Sequence, residues 1–387
     1  MDKEKKLLIK KIKFLLGMVY LKFDFNNYPG EVLELRLCGI KVITMKFWAG
    51  YSDIYLFKFL KFRLPREFSF KILKPFLVKY VEHKAKITDA QIIALFNRSG
   101  ETFLLLHHLK RYLQKSNINN PVFVSTFSYL ESICKMFYPD IKFVKIPQVF
   151  FELHFCDENS ENYLQFLPNS HFMKLEQCLQ KGNIVNFYSE IKNRMSEQEI
   201  SCFPTCSKDV IEGVNTKKAM LGITKPYIFI APAAQSNDSL SRQFWDKLVL
   251  ALYNKGYDLF FNTIPEGLYS SSYKHCYLSL SEAKYFAESA SAIIGVRSGL
   301  LDIISNSNSK IFALYKPFKD RGKDLPYLAA NFVMNGFSLK YLPQTRTNNC
   351  VYEYNAEKIP EEQLLTEIVN NIPNVQVLSN NENIRKI

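Results

Sequence analysis

The sequence predicts an α/β protein: two parallel, helix-covered sheets behind a basic amino-terminal extension. Three observations carry this. Short β-branched apolar runs alternate with helix-period stretches, first over residues 91–146 and again over 227–315. Strand alternating with helix at that spacing builds parallel sheets. At 387 residues the chain is long for one core, so two domains are expected. The charge is lopsided: of a net +13, residues 1–86 carry 19 Lys and Arg against 8 Asp and Glu.

The hydrophobic fraction of 47% and charged fraction of 22% are those of ordinary globular proteins. A basic, aromatic-rich end on a nearly neutral body points to an anionic partner, with phospholipid, lipopolysaccharide and nucleic acid as the classes weighed. No helix-turn-helix, zinc finger or RNA-recognition motif is legible, so nucleic acid is not expected. The eight cysteines are scattered. Cys202 and Cys206 have no His pair at zinc spacing, and free thiols in a reducing cytoplasm are expected. No apolar run reaches the roughly 18 residues of a spanning helix. Residues 12–21 lack a small-residue cleavage site, so no secretory signal is expected.

In chain order, Leu7, Leu8, Ile12, Leu15, Leu16 and Val19 recur at helical steps among lysines. That predicts an amphipathic helix over 1–23, lying on an anionic membrane or packed on the body. Val32–Leu37 and Ile40–Met45 around Cys38-Gly39 predict a hairpin. Residues 52–86 read as basic helices broken at Pro65 and Pro75. A second unit begins near Asp89. Its strands are expected at 91–96, 121–126 and 141–146, and its helices at 103–113 and 129–137. Residues 150–215 look irregular, with a linker near 205–222. The next strands are expected at 227–231, 258–262 and 310–315, with a short strand or turn at 276–280. Helices are expected at 241–255, stopped by Gly256; at 281–292, capped by Ser281; and at 360–371. Residues 374–387 read as frayed. The limits drawn are 1–88, 89–215, 216–375 and 376–387.

The segment Ser291 to Ile304 reads as strand, turn at Gly295 and helix start. Free N–H groups at a helix N-terminus favour an anion, and Arg297 beside them adds a charged planar fork. Ligands of parallel sheets gather at the carboxyl ends of strands. The loops at 97–102, 232–236 and 295–302 are therefore the candidate site.

Four stretches together resemble the GT-B glycosyltransferases similar to lipopolysaccharide heptosyltransferases. These are Ser99-Gly100-Glu101-Thr102; Ala231-Pro232-Ala233-Ala234-Gln235-Ser236; Gln243 to Leu248 with Gly256 to Leu259; and Gly295 to Asp302. The resemblance spans roughly residues 90–370. It implies two Rossmann-like domains facing across a cleft and inverting sugar transfer from a nucleotide-sugar donor. It implies a lipopolysaccharide, lipooligosaccharide or capsule acceptor. It implies no cofactor and no metal, and no Asp-x-Asp is seen.

Glu101 matches the family's acid and is the expected catalytic base, flanked on the acceptor side by Arg98, Ser99, Gly100 and Thr102. His107 and His108 are rival bases. Donor contacts are expected from Arg297, Ser298, Gly299, Leu300 and Asp302, and from Pro232, Ala234, Gln235, Ser236, Asn262, Thr263 and Leu280. The chain departs from the family at two positions in the donor turn: an acid is usual where Arg297 stands, and a His where Asp302 stands. Other readings are a sugar-nucleotide epimerase or hydrolase on the same architecture, and a non-catalytic polyanion-binding protein. The expected location is cytoplasmic, peripheral on the inner face of the cell membrane through residues 1–86.

Overall fold

A computed structural model describes residues 10–14, 19–24, 32–37, 40–47, 51–57, 60–65, 78–95, 99–115, 118–146, 163–165, 202–234, 239–262, 274–275, 277–317, 329–342 and 351–375. Contacts gather the chain into two units. One holds Met1–Phe96, Ile118–Ser128 and Ile141–Pro168; the other holds Asn97–Asn117, Tyr129–Asp140 and Asn169–Ile387.

The first unit opens with an antiparallel meander of six strands in sequence order: β1 (Lys10–Phe14), β2 (Val19–Asp24), β3 (Val32–Leu37), β4 (Ile40–Phe47), β5 (Tyr51–Leu56) and β6 (Leu60–Pro65). The hairpin expected at 32–45 is β3–β4. The amphipathic helix expected over 1–23 is replaced by β1 and β2 within its described residues, and β5 and β6 replace the helical reading of 52–65. Residues there alternate with period two. Asp53 and Tyr55 share one face with Lys61 and Arg63, while Ile54 and Leu56 oppose Phe62 and Leu60. Leu7, Leu8, Leu15 and Leu16, which carry the helical spacing, lie outside the described residues. A helix, α1, is described over 78–85.

The same unit holds a parallel sheet of β7 (Gln91–Ala94), β8 (Pro121–Ser125), β9 (Lys142–Lys145) and β10 (Tyr163–Gln165), in the order β10-β7-β8-β9. The first three strands lie where the sequence puts them. β10 falls in the stretch read as irregular.

The second unit carries α2 (Ser99–Lys115), α3 (Leu130–Phe137) and α4 (Lys208–Met220). α4 overturns the linker expected at 205–222. Ser207 caps it by accepting from the Val210 N–H, Val214 is fully buried, and Lys217 pairs with Glu282 at 2.8 Å. Gly213 reads as a breaker, but tertiary packing outweighs its propensity.

A parallel sheet follows: β11 (Tyr227–Ala231), β12 (Asp258–Phe261), β13 (Lys274–His275), β14 (Ala292–Val296), β15 (Lys310–Tyr315) and β16 (Val351–Asn355). Its order is β13-β12-β11-β14-β15-β16, the doubly-wound arrangement whose strand order reverses between β11 and β14. Every residue of β11 and β14 is buried, as in strands covered on both faces. Between strands run α5 (Arg242–Asn254), α6 (Leu280–Glu288), α7 (Gly299–Ile304), α8 (Ala330–Gly336) and, after β16, α9 (Glu361–Asn370). Phe244, Trp245, Leu248 and Leu252 of α5 share a core with Leu364 and Ile368 of α9.

Three local expectations shift. α6 starts at Leu280, capped by Ser279 and Glu282 in a reciprocal box, not by Ser281; Ser281 and Ala283 are buried. Ala292 belongs to β14, and so does Gly295. A Cβ on Gly295 would lie 3.0 Å from Ala231 Cβ, so this glycine serves close strand approach rather than a turn. No strand forms over the described part of 276–280, where a short strand or turn was expected: residues 277–279 are irregular, Leu280 opens α6, and β13 lies before them. β16 and α8 carried no sequence signal. The frayed tail at 376–387 lies outside the described residues.

Helices α4 and α5 end alike. Gly222 and Gly256 sit at φ +62° and +94°, and the amides of each glycine and its successor reach back to carbonyls of the last turn. Gly222→Ala should lower unfolding free energy in urea by about 1 kcal/mol through backbone strain alone. Gly256→Ala should cost more, because its Cβ would come 3.2 Å from Val375 Cβ.

Candidate functional site

The site is built around α7 and the first turn of α2, both in the second unit. β14 ends at Val296, and the Arg297 amide still donates to the Leu314 carbonyl of β15 at 2.9 Å. Ser298 follows in extended backbone and opens α7. Its hydroxyl makes no cap bond, is buried, and has no hydrogen-bond partner among the described residues. A buried, unpaired hydroxyl at a strand's carboxyl end is a costly feature for stability alone.

Arg297 is 7% exposed and fully engaged with protein. Nη2 donates to Asp302 Oδ1 at 2.6 Å, Nη1 to Asp302 Oδ2 at 3.2 Å and to the Ser298 carbonyl at 2.7 Å, and Nε to the Phe337 carbonyl at 2.9 Å. Arg297 and Asp302 are thus partners of each other. Burial raises the Asp302 pKa to about 6; the Glu101 charge adds to this, and Arg297 opposes it. The same pair raises the Arg297 pKa against its own burial. Protonating Asp302 would leave the buried Arg297 charge unopposed, so the bidentate contact favours the charged pair.

Behind the pair, the Tyr315 hydroxyl donates to Glu353 at 2.5 Å and accepts from the Leu339 amide at 3.3 Å. Glu353 also accepts from Ser338 at 2.7 Å. These bonds tie β15, β16 and the segment after α8 to the back of the Arg297 turn.

Ser99, Gly100, Glu101 and Thr102 are the first turn of α2, not a loop before it. The helix was expected only from Phe103, because Gly100 reads as a turn residue. Its role is different: a Cβ on Gly100 would fall 2.9 Å from Gly299 Cα and would overlap the Asp302 carboxylate. A Cβ on Gly299 would lie 2.6 Å from Ser99 Oγ and 2.7 Å from the Gly100 nitrogen. The two helix N-termini are therefore in backbone contact, and only glycine fits at either position. Glu101 is half-buried beside this contact, within electrostatic reach of Asp302. Thr102 is fully buried.

Other candidates spread around the carboxyl ends of the sheet. Pro232 is buried after β11, and Ala234 packs against the hydrophobic core. Asn262 ends β12 with 9% exposure, and its Oδ1 has no partner among the described residues. Leu280 is half-buried at the start of α6, and Leu300 is half-buried in α7. Arg98, Gln235, Ser236 and Thr263 lie outside the described residues. Among the described residues no three His, Cys, Asp or Glu side chains converge as metal ligands do.

The rival bases are both fully buried. His107 Nδ1 lies 2.9 Å from the Cys202 carbonyl, and its ring packs edge-on against Phe103 and Phe137. Burial pushes its pKa down to about 3. Sequence reasoning overlooked the Tyr315–Glu353–Ser338 cluster, for which no local motif exists.

No protein-family model matches the chain. No curated protein matches it either. Solved structures do. The described fold is similar to those of glycosyltransferases. A glycosyl transferase family 9 protein from Veillonella parvula is 12% identical over 73% of this chain and 97% of that one, with a TM-score of 0.43. The E. coli ADP-heptose lipopolysaccharide heptosyltransferase II is 10% identical over 72% and 97%, at 0.42. An E. coli heptosyltransferase solved with ADP is 10% identical over 73% and 98%, at 0.40.

Two predictions follow from this geometry. Gly100→Ala or Gly299→Ala should each lower unfolding free energy by about 1–3 kcal/mol in denaturant melts, because the backbones must separate. His107, held neutral, contributes stability that is present above pH 6.5 and lost as pH falls toward 3. His107→Leu should flatten the acid side of the stability–pH curve between pH 6.5 and 4.

Proposed function

We propose that the protein is an inverting, metal-independent glycosyltransferase. It moves a sugar from a nucleotide-sugar donor to a lipopolysaccharide, lipooligosaccharide or capsule acceptor. In this reading residues 89–215 form the acceptor domain and 216–375 the donor domain of a GT-B pair, and residues 1–86 hold the enzyme to the inner face of an anionic membrane.

One observation carries the reading: the backbone contact of Gly100 with Gly299. It sets an acid at the start of one helix beside the open amides of another, at the point where strand order reverses. The acceptor hydroxyl loses its proton to Glu101 as its oxygen attacks the anomeric carbon, and the nucleoside diphosphate leaves from the opposite face. The leaving group's charge meets the amides of Gly299 and Leu300, the Ser298 hydroxyl and the positive end of the α7 dipole.

Arg297 acts from behind. Its fork is engaged by Asp302 and two carbonyls, so it holds the turn and its positive field rather than offering free donors. Asn262, with its orphaned carbonyl oxygen, and Pro232 border the nucleotide. Ser236, Gln235, Thr263 and Leu280 complete the donor side, and Arg98, Ser99 and Thr102 the acceptor side.

The test begins with thermal shifts against ADP, UDP, GDP and CMP. One of them should raise the melting temperature, since a ligand that binds only the folded state stabilises it. Glu101→Gln should keep that shift and lose about 100-fold or more in turnover. Absence of any nucleotide shift, or full turnover in Glu101→Gln, would end the assignment.

A further inference from the structure

Strands β3 to β6 have two faces of different chemistry. Side chains alternate along each strand, and the register carries the alternation across the sheet. Leu35, Met45, Ile54 and Phe62 lie on one face, and every charged residue of these four strands is on the other. A row crosses the charged face with one residue per strand: Glu34↔Thr44↔Tyr55↔Lys61. Arg36 and Lys41 flank the row on one side, and Lys46 and Arg63 on the other.

The acids lie beneath the cations. Glu34 pairs with Arg36 at 3.1 Å and with Lys41, and Asp53 pairs with Lys61 at 3.1 Å and Arg63 at 3.0 Å. The two acid side chains are 9% and 4% exposed, whereas those of Arg36, Lys41, Lys61 and Arg63 are 38%, 28%, 48% and 58%. Each carboxylate holds a pair of cations that face outward. Lys46 pairs with no acid among the described residues, and its ammonium and that of Lys61 lie over the Tyr55 ring at 5.5 and 5.6 Å. Five cations over two acids leave the face positive. A free lysine or arginine loses rotamer freedom when it meets an anion; here four are already held, which lowers that cost.

We propose that this face binds an acidic saccharide lying across the strands. Its phosphate or carboxylate groups meet the cations that flank the row, and its uncharged rings cover Thr44 and Tyr55 between them. Neighbouring strands are about 4.8 Å apart, close to the length of one sugar ring, so an extended saccharide meets one strand per ring. A single-stranded nucleic acid stacks its bases on an open aromatic face, and the Tyr55 ring already carries two ammonium groups. A membrane surface is held by apolar insertion beside the charges, and the leucines and phenylalanines of these strands are on the opposite face. In the transferase reading the saccharide is the acceptor, and only that name rests on that reading.

Fluorescence anisotropy of end-labelled oligogalacturonate with the full chain tests it. The oligogalacturonate should bind, unlabelled neutral maltooligosaccharide should fail to compete, and affinity should fall as salt rises. Lys46→Gln strips no acid of its partner, so it should weaken binding about two- to fivefold at an unchanged melting temperature. Lys61→Gln leaves Asp53 its Arg63, and the double variant should lose about tenfold. If Lys61→Gln lowers the melting temperature, Lys46→Gln alone decides. Undiminished binding in these variants overturns the proposal, and so does equal competition by the neutral saccharide. So does tighter binding of oligothymidylate, or of phosphatidylglycerol vesicles, that the variants lose, which would assign the face to nucleic acid or to lipid. Nucleotide-induced thermal shifts should be equal in the wild-type and Lys46→Gln proteins, so failure here leaves the transferase reading to its own test.

Discussion

The carboxy-terminal half of this molecule is organised by one close approach: the first turns of α2 and α7 touch backbone to backbone at Gly100 and Gly299. Two helix N-termini meeting head to head carry like partial charges, an arrangement that dipoles disfavour. Negative side chains resolve it. Glu101 stands in the first turn of α2, and Asp302 in the first turn of α7 reaches the position where a Gly100 Cβ would be. The acids are a physical requirement of the contact before they are anything else. The Glu101 charge in turn adds to the proton affinity of the buried Asp302.

A buried ion pair seldom adds net stability over a hydrophobic pair of the same shape, but it fixes geometry. Arg297 and Asp302 fit that description. The guanidinium binds both carboxylate oxygens and two carbonyls, so the turn from β14 to α7 has one arrangement. Deeper in, Tyr315 and Glu353 hold the segment whose Phe337 carbonyl receives Arg297 Nε. The chain of bonds runs from a sheet strand to the surface turn without a flexible link. Among the described residues the Ser298 hydroxyl and the Asn262 carbonyl oxygen are buried without a hydrogen-bond partner.

The amino-terminal meander obeys a different constraint. Its six strands pair antiparallel in sequence order, so neighbours along the chain are neighbours in the sheet. Glu34 and Asp53 keep the cationic rows from repelling each other.

Much was legible in the residue order. Apolar runs such as Tyr227–Ala231 and Lys310–Tyr315 are too short for helices and too apolar for loops, and they are β11 and β15. The β3–β4 hairpin and the Gly256 helix stop follow from local steric preference. Local signals failed where one pattern fits two periods, as in residues 10–24, or where packing outweighs weak propensity, as in α4. Glu101, Arg297 and Asp302 stood out as residue types beside turns. That Arg297 faces Asp302 and not solvent, and that Gly100 is a contact and not a turn, are facts of distance between remote segments. A chain's order determines which short-range conformations are cheap; only the folded arrangement decides which charges become neighbours, because Coulomb and steric energies depend on separation in space and not along the sequence.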